Sequence, residues 1–305
     1  MENSIETKNL QKEYPGRVAL SDISFSVKKG SIHGFLGPNG AGKTTTMKIL
    51  TGLVTHSGGE FKIDGRIGFL PENPPLYLNM TVDSYLSFVL SIYSDNESVE
   101  KLQEVKKSCG LESVGDRLIG NLSKGFRQRV GIAQALIHSP EIIILDEPTV
   151  GLDPVAIVEI RNLIAGLKGK HTVLFSSHQL HEVEVLCDEI TLVDKGKVLI
   201  SGSIHEIQNR LTTKKQFNVK VINFDHELEK KLIGSLPIES CEIVSKVGKI
   251  VEVNLFCQSK FNEDEHTPML SRVLAEAPYG LMSINEVKLD LEEIFKRMTN
   301  VKGVN

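Results

Sequence analysis

The chain has 305 residues, enough for about two domains of roughly 150 residues each. Its composition, with 40% hydrophobic and 24% charged residues, predicts a folded, globular protein. Its 35 lysines and arginines against 39 acidic residues leave a net charge of -4, which gives no reason to expect a nucleic-acid partner. No run of apolar side chains exceeds four residues, while a membrane-spanning helix needs about 20, and the N-terminus lacks a signal-peptide pattern. We therefore expect a cytoplasmic protein that does not cross the bilayer.

Residues 1–210 alternate between strand and helix patterns. Short runs rich in β-branched and apolar residues predict strands at 23–27, 32–36, 142–145, 172–176 and 189–193. Between these runs apolar residues recur at helical spacing, as at Val130, Ala133 and Ile137. The alternation predicts an α/β fold with a mainly parallel sheet covered by helices.

Beyond about residue 215 the pattern indicates a separate, smaller α+β domain. It predicts, in order, a strand at 217–222, a helix at 227–236, a hairpin turning at Gly248, a helix at 269–277, a strand at 281–287 and a final helix. The polar stretch 209–216 is interpreted as a linker, and the charged stretch 262–266 as a solvated turn. The predicted domains are thus 1–210 and 216–305. The second is either a regulatory or dimer-supporting domain or a stabilising appendage without a ligand.

A glycine-rich segment lies between the predicted strand 32–36 and a predicted helix at 45–50, and it fits the pattern GxxxxGK[ST]. Its residues are Gly37, Pro38, Asn39, Gly40, Ala41, Gly42, Lys43, Thr44 and Thr45. Glycines let the backbone wrap closely around a phosphate, and the following helix offers free N–H groups and a favourable dipole. We predict that Lys43 holds the β- and γ-phosphates of a nucleotide and that the Thr44 hydroxyl binds Mg²⁺. The alternative is an ordinary glycine-rich turn between a strand and a helix.

Two acids follow the apolar strand 142–145. Asp146 and Glu147 would emerge at the carboxyl end of a buried parallel strand, where such sheets bind ligands. We predict that Asp146 coordinates Mg²⁺, directly or through water, and that Glu147 accepts a proton from the attacking water. Taken alone, two acids after a strand more often form a turn or a helix cap, but together with the phosphate segment they indicate catalysis.

A third segment, Leu122-Ser123-Lys124-Gly125-Phe126-Arg127-Gln128-Arg129, lies before that strand and opens the predicted helix containing Val130. With this segment the chain resembles the ATP-binding subunit of an ATP-binding cassette (ABC) transporter, a P-loop NTPase. The resemblance implies a cassette with a mainly parallel sheet, an antiparallel β-subdomain and a helical subdomain at about 73–121. It also implies that two subunits sandwich the nucleotide, so that Ser123 and the N–H of Gly125 contact the γ-phosphate bound by the partner subunit.

The same resemblance assigns four more residues. Tyr14 matches an aromatic residue that stacks on adenine, although a packed surface tyrosine is nearly as good an explanation. Asp153 matches the loop that joins the two sites of the dimer, and Asp-Pro is also an ordinary turn. His178, directly after a predicted strand, matches a switch histidine at the γ-phosphate. Glu72 stands where many members have glutamine, in a loop that contacts the metal or the attacking water, and a carboxylate cannot donate as an amide does.

The signature departs from its commonest version at Lys124 and Phe126, where glycine and glutamine are usual. The segments 70–77 and 291–298 resemble the ABC-2 type export branch, which includes gliding-motility, copper-processing and drug-export ATPases. The resemblance therefore predicts an ATPase that uses ATP and Mg²⁺, dimerises, and works with a separately encoded membrane permease from the cytoplasmic face. Two alternatives stay open: a soluble ABC-type ATPase that acts on ribosomes or nucleic acid, and a nucleotide-binding regulator without catalysis.

Overall fold

The computed structural model of the chain describes residues 2–93, 99–211 and 215–287, together with Leu291, Ile294, Phe295 and Met298. The described residues divide into two compact units. The first contains the residues up to Ile204 together with Phe295 and Met298, and the second contains the residues from His205 to Ile294.

The strands and helices of the first unit alternate along the chain as the sequence predicts. Its strands are β1 (Asn3–Tyr14), β2 (Arg17–Lys28), β3 (Ile32–Leu36), β4 (Gly58–Ile63), β5 (Ile67–Leu70), β6 (Ile142–Asp146), β7 (Thr172–Ser177), β8 (Glu189–Asp194) and β9 (Lys197–Ser203). Its helices are α1 (Lys43–Leu50), α2 (Val82–Tyr93), α3 (Val99–Ser108), α4 (Lys124–Leu136), α5 (Pro154–Ala165) and α6 (Leu180–Leu186). A further helix, α7 (Ile204–Leu211), follows β9.

The strands of the first unit form one sheet in the order β4-β1-β2-β9-β8-β3-β7-β6-β5. From β8 to β5 each neighbouring pair is parallel. Strands β3, β6 and β7 are buried along their whole length, as expected for apolar strands inside a parallel sheet. Because they run in the same direction, their carboxyl ends at Leu36, Asp146 and Ser177 meet at one edge of the sheet, where ligands of such folds bind.

The predicted antiparallel part of the cassette is confirmed at the other end of the sheet. Strand β1 pairs antiparallel with both β2 and β4, and the β1–β2 hairpin closes where Tyr14 pairs with Arg17. Gly16 occupies this turn with a φ of 75°, which glycine adopts at little cost. The hairpin determines the position of Tyr14.

The predicted helical subdomain contains α2 and α3. Helix α2 buries Val82, Tyr85, Leu86, Val89 and Leu90, and this spacing forms one apolar stripe along a helix. Within the described residues, no helix is both long and apolar enough to cross a membrane.

The second unit has the predicted βαββαβ order. Its elements are β10 (Gln216–Ile222), α8 (His226–Ser235), β11 (Ile238–Val247), β12 (Ile250–Cys257), α9 (Glu263–Ala275) and β13 (Gly280–Glu286). The strands form an antiparallel sheet in the order β11-β12-β10-β13. Inward side chains such as Val219, Val253, Leu232 and Leu274 form its apolar core with both helices.

The beginning of α9 corrects one sequence prediction. The stretch 262–266 was predicted as a solvated turn and the helix from 269, but the helix begins at Glu263. The Asn262 side chain caps it by accepting the Asp264 N–H at 3.1 Å, and the acids of its first turn favour the positive end of the helix dipole. The charged stretch therefore begins the helix.

The domain limits also differ from the predicted 1–210 and 216–305. The first unit ends at Ile204 and also includes Phe295, which lines a small cavity with Gly37, His178 and Leu180. Helix α7 covers the first part of the predicted linker 209–216, and the predicted final helix lies largely outside the described residues.

Candidate functional site

The phosphate segment forms the turn between β3 and α1. Gly40 and Gly42 have φ angles of 82° and 109°, which side-chain-bearing residues rarely adopt. At Gly42 a Cβ atom would also lie 2.4 Å from a methyl carbon of Leu20, so glycine is required there for space as well. Helix α1 begins at Lys43, and the N–H groups of its first turn lie at the positive end of the helix dipole.

At the end of β6, the two predicted acids occupy buried positions. Asp146 is 1% exposed, and its Oδ1 accepts a hydrogen bond from Ser176 Oγ at 2.6 Å. The same Ser176 oxygen accepts the Glu147 N–H at 3.0 Å. Glu147 has a φ of 50°, a conformation that costs about 1 kcal/mol or more for a residue other than glycine. Ser176 therefore fixes both acids at the edge of the sheet.

Three predicted catalytic residues lie in direct contact. Glu147 Oε1 lies 3.1 Å from Lys43 Nζ, and its Oε2 lies 2.8 Å from His178 Nδ1, which must donate to a carboxylate acceptor. Lys43 Nζ also donates to the Gly37 carbonyl at 2.8 Å. The Glu147 carboxylate thus connects the phosphate segment with the end of β7, and Lys43 and Glu147 are less than a tenth exposed.

A cavity of about 480 Å³ opens at this edge of the sheet. Its lining contains most of the predicted site and several residues that the motifs did not indicate: Tyr14, Arg17, Ala19, Asn39, Gly40, Gly42, Lys43, Thr44, Thr45, Glu72, Glu147, Val150 and His178. Tyr14 is 40% exposed and has Lys12 Nζ at 4.9 Å from its ring centroid. The structure therefore brings the Tyr14 hairpin, the phosphate segment, Glu72, Glu147 and His178 around one space.

Several predicted site residues do not line this cavity: Gly37, Pro38 and Ala41 of the phosphate segment, the predicted metal ligand Asp146, and Ser123, Gly125 and Asp153. Ser123 caps α4, since its side chain accepts the Phe126 N–H at 3.3 Å. Asp153 caps α5 by accepting the N–H groups of Val155 and Ala156. Gly125 is buried against the α5 side chain of Ala156. In a single chain Ser123, Gly125 and Asp153 serve as helix starts, and their predicted contacts with a nucleotide require a second subunit.

Residues outside the motifs complete the site. Arg17 lies on the cavity wall close to the phosphate segment. A Cβ atom placed on Gly40 would lie 3.8 Å from a terminal nitrogen of Arg17. Glu182 is 2% exposed, and its Oε2 accepts from both Thr149 Oγ1 at 2.8 Å and Ser177 Oγ at 3.3 Å. Thr149 and Ser177 neighbour the segments that carry Glu147 and His178. The only sequence signal for Glu182 is its position four residues after His178.

The residues present fit a magnesium nucleotide. Lys43 and Arg17 supply positive charge to the cavity, and the first turn of α1 supplies N–H donors. When Mg²⁺ is bound together with phosphates, it needs only one or two carboxylates from the protein. Thr44 and Glu72 line the cavity, so hard oxygen donors are available for this ion, and Asp146 is buried directly before Glu147 without lining the cavity. The fold and this site together define a P-loop nucleotide-binding cassette.

Comparison with known proteins identifies the family. A family model described as ABC transporter matches residues 20–150. The linearmycin resistance ATP-binding protein LnrL of Bacillus subtilis is 32% identical, and the match covers 97% of this chain and 98% of LnrL. The lantibiotic transport ATP-binding protein SrtF of Streptococcus pyogenes is 39% identical over 67% of this chain and 93% of SrtF. A solved structure described as a dimeric bacterial ABC transporter cassette is 27% identical with a TM-score of 0.59, covering 66% of this chain and 98% of the other.

The chain belongs to the family of ABC transporter ATP-binding proteins. The predicted fold class, ATPase activity and use of ATP with Mg²⁺ are thereby confirmed. Its function is that of the ATP-binding subunit of a transporter, and the alternative of a soluble ATPase acting on ribosomes or nucleic acid is not favoured.

Proposed function

We propose that this ATP-binding subunit drives an exporter whose membrane permease is a separate chain, and that it works on the cytoplasmic face of the membrane. Export is supported by the relatives, since LnrL is named for resistance and SrtF for lantibiotic transport. The match to LnrL extends over both units of this chain, so the support is not confined to the cassette.

Several residues of the predicted site have a proposed role. Lys43, Arg17 and the N–H groups of α1 hold the phosphates, and Tyr14 stacks on the base. Thr44, Asp146 and Glu72 provide oxygens for Mg²⁺, which when bound neutralises charge that develops on the phosphates. Glu147 accepts the proton of the attacking water, and a positioned base contributes about 10²–10⁴-fold to the rate.

The contact between Lys43 and Glu147 indicates how the nucleotide activates the base. Lys43 Nζ donates to Glu147 Oε1 and to the Gly37 carbonyl, so a phosphate must compete with both for the same ammonium group. Once Lys43 turns to the phosphates, Glu147 Oε1 is released and can accept a proton from water. His178 keeps the carboxylate oriented through Oε2. The base would then become available only after the substrate has arrived.

The observation that carries the proposal of a dimer is the division of the site residues. Tyr14, Lys43 and Glu147 line one cavity, whereas Ser123 and Asp153 of the same chain do not. Ser123 lies at the positive start of α4, which favours an anionic ligand, whereas the start of α5 is capped by the Asp153 carboxylate itself. We propose that Ser123 and Asp153 complete the cavity of a second subunit. The dimer is a homodimer if the second subunit is another copy of this chain, and a heterodimer if it is a different cassette.

An exposed apolar patch supports the permease partner. Tyr77, Leu78, Phe88 and Ile92, here called the Tyr77 patch, are each about 40% or more exposed, and the rings of Tyr77 and Phe88 lie 5.7 Å apart. Exposed apolar clusters of this kind mark interaction surfaces. The patch begins five residues after Glu72 in the chain, so a partner seated on it is connected with the cavity by a short segment.

The catalytic proposal is tested with Glu147→Gln in the full-length chain. The substitution keeps the size of the side chain but removes the carboxylate base, so phosphate release from ATP should fall by about 10²–10⁴-fold. With ATP and Mg²⁺ present, this variant should accumulate as a dimer, seen as doubled mass by light scattering. Retained phosphate release would overturn the assignment of the base, and a mass that stays monomeric would overturn the nucleotide-bridged dimer.

The permease proposal is tested with the double substitution Phe88→Ser and Ile92→Ser. Loss of apolar contact should abolish co-purification of an integral membrane protein with the tagged chain, while phosphate release by the isolated chain remains. The control is Ile233→Ser, which removes an exposed isoleucine from the second unit. Equal co-purification by the patch variant and the control would exclude the Tyr77 patch as the docking surface.

A further inference from the structure

Lys124, in the signature segment, contacts the loop that follows Glu147 in the same chain. Its Nζ donates to the Val150 carbonyl at 2.7 Å. The next residue, Gly151, has a φ of 68°, and a Cβ atom there would lie 2.4 Å from Lys124 Nζ. Because Gly151 has no side chain, the loop leaves space for the Lys124 ammonium group.

The signature segment is joined to the helix after this loop at two further points. A Cβ atom on Gly125 would lie 2.9 Å from the Ala156 Cβ of α5, so the two backbones approach closely. One turn later Arg129 of α4 forms an ion pair with Glu159 of α5. Together with the Lys124 hydrogen bond, these contacts tie the beginnings of α4 and α5 along one side.

Val150 itself is part of the nucleotide cavity. Its N–H donates to the Glu147 carbonyl at 3.2 Å, which closes a turn beginning at the proposed base, and its side chain helps to line the cavity. The two polar groups of this one residue thus face different elements: the N–H binds the turn of Glu147, and the carbonyl binds Lys124.

We propose that Lys124 is a positioning residue that couples the two nucleotide sites of the dimer. A displacement of the Glu147–Val150 turn in one cavity moves the Val150 carbonyl, and through Lys124 it moves the signature segment that completes the other cavity. The inference rests on the proposed dimer, in which Ser123 and Gly125 contact the nucleotide of the second subunit.

The character of the contact favours a role in coupling over one in stability. Lys124 is exposed, and a single exposed hydrogen bond from a flexible lysine adds little to the free energy of folding. Such a contact can break and form during a catalytic cycle, whereas the close packing of Gly125 on Ala156 cannot adjust without moving backbone. Lys124 is therefore more adjustable than the packing of Gly125 on Ala156.

The test measures ATP hydrolysis by the full-length chain as a function of ATP concentration. With two coupled sites we expect a sigmoidal curve with a Hill coefficient above 1 and at most about 2. Lys124→Met keeps the length of the side chain but removes the donor, and should lower the coefficient to about 1 with less than about a twofold change in half-saturating ATP. Lys124→Arg retains a donor and should retain most of the cooperativity.

Lys170→Met is the matched control, because this exposed lysine precedes β7 at the end of the sheet away from the cavity. It should leave both the curve and the thermal midpoint as in the unmodified chain. A Lys124→Met chain that keeps its Hill coefficient overturns the inference, as does an unmodified chain that dimerises with ATP but hydrolyses it without cooperativity. A severalfold rise in half-saturating ATP also overturns it, because that result indicates direct contact with the nucleotide. Failure of Glu147→Gln to form an ATP-bound dimer would instead refute the proposed function.

Discussion

The two units of the chain bury different kinds of residues. In the first unit the interior includes charged and polar side chains, among them Lys43, Asp146, Glu147 and Glu182. In the second unit, within the residues that the structure describes, the fully buried side chains are all apolar. Burying a polar group costs free energy unless a partner satisfies it, so such groups are concentrated where chemistry requires them.

The difference extends to the ion pairs. The Lys43–Glu147 pair is buried and lies beside a cavity, where a nucleotide can compete for either partner. In the second unit, Lys231–Glu276 joins exposed side chains, and pairs of this type contribute between about 0 and 1 kcal/mol. In the first unit, the burial of polar and charged groups lowers stability but supplies groups for a reaction. The second unit has a conventional apolar core.

The largest expected effect is the loss of the buried cation. Lys43→Ala removes the ammonium group that contacts Glu147 and is proposed to hold the phosphates. Hydrolysis should fall by about 10²–10⁴-fold, and nucleotide affinity, measured by calorimetry, should fall with it. The substitution also leaves Glu147 buried without its cation. An unaltered binding isotherm would show that the buried pair does not serve nucleotide binding, which would contradict the comparison between the units.

A matched pair of core truncations comes next. Leu174→Ala in β7 and Leu232→Ala in α8 each remove the same atoms from a fully buried site, and each should lower the free energy of unfolding by about 2–5 kcal/mol. Only the first should reduce phosphate release per folded molecule, since β7 carries Ser176 and ends before His178. Equal losses of activity, measured at matched folded fractions, would mean that the units are not functionally distinct.

The buried carboxylate of Glu182 predicts an intermediate effect. Glu182→Leu leaves the hydroxyls of Thr149 and Ser177 without their shared acceptor, at a cost of about 1–3 kcal/mol in the free energy of unfolding. Glu182→Gln retains an acceptor oxygen and should recover most of both stability and turnover. Chemical denaturation and phosphate release on the two variants check this, and a glutamine variant as impaired as the leucine one would assign the effect to charge instead.

The last prediction concerns pH. Burial, followed by the nearby Lys28 charge, lowers the pKa of His33 from 6.5 to about 3, and its Nε2 lies 2.8 Å from Thr191 Oγ1. In the unfolded chain this histidine binds a proton below about pH 6.5, whereas in the folded chain it stays neutral down to about pH 3, so stability is lost as the pH falls between these values.

The expected slope from His33 is at most about 1.4 kcal/mol per pH unit within that window, with no contribution above it. His33→Asn should lower stability at pH 7 but flatten the dependence between pH 4 and 6 in urea titrations. An unchanged slope in the variant would show that other groups produce the acid sensitivity.

Much of the site could be predicted from the sequence because its residues come in contiguous motifs. The spacing of Gly37, Gly42 and Lys43 between a strand and a helix already implies a phosphate cradle. Apolar runs predict strands at 32–36 and 142–145, and the observed strands are 32–36 and 142–146. The start of α9 could not be predicted in this way, because the same acidic residues suit a solvated turn and the first turn of a helix.

Contacts between residues that are far apart in the chain also could not be predicted from the sequence. No local pattern indicates that Lys124 donates to the Val150 carbonyl, 26 residues further along the chain. The sequence also gives no signal that Thr149 and Ser177 donate to the same Glu182 carboxylate, because each of these side chains is common at such a position. Such contacts depend on which strand ends and helix starts the fold places side by side.

The sequence by itself determined the class of the fold and the phosphate turn, and it supplied the prediction of the reactive residues, because each depends on residues that are close in the chain. Only the tertiary structure decided that Lys43, Glu147 and His178 form one connected group and that Ser123 and Asp153 lie away from it. The physical reason is the parallel sheet, which brings the carboxyl ends of β3, β6 and β7 to one edge although they are far apart in the chain.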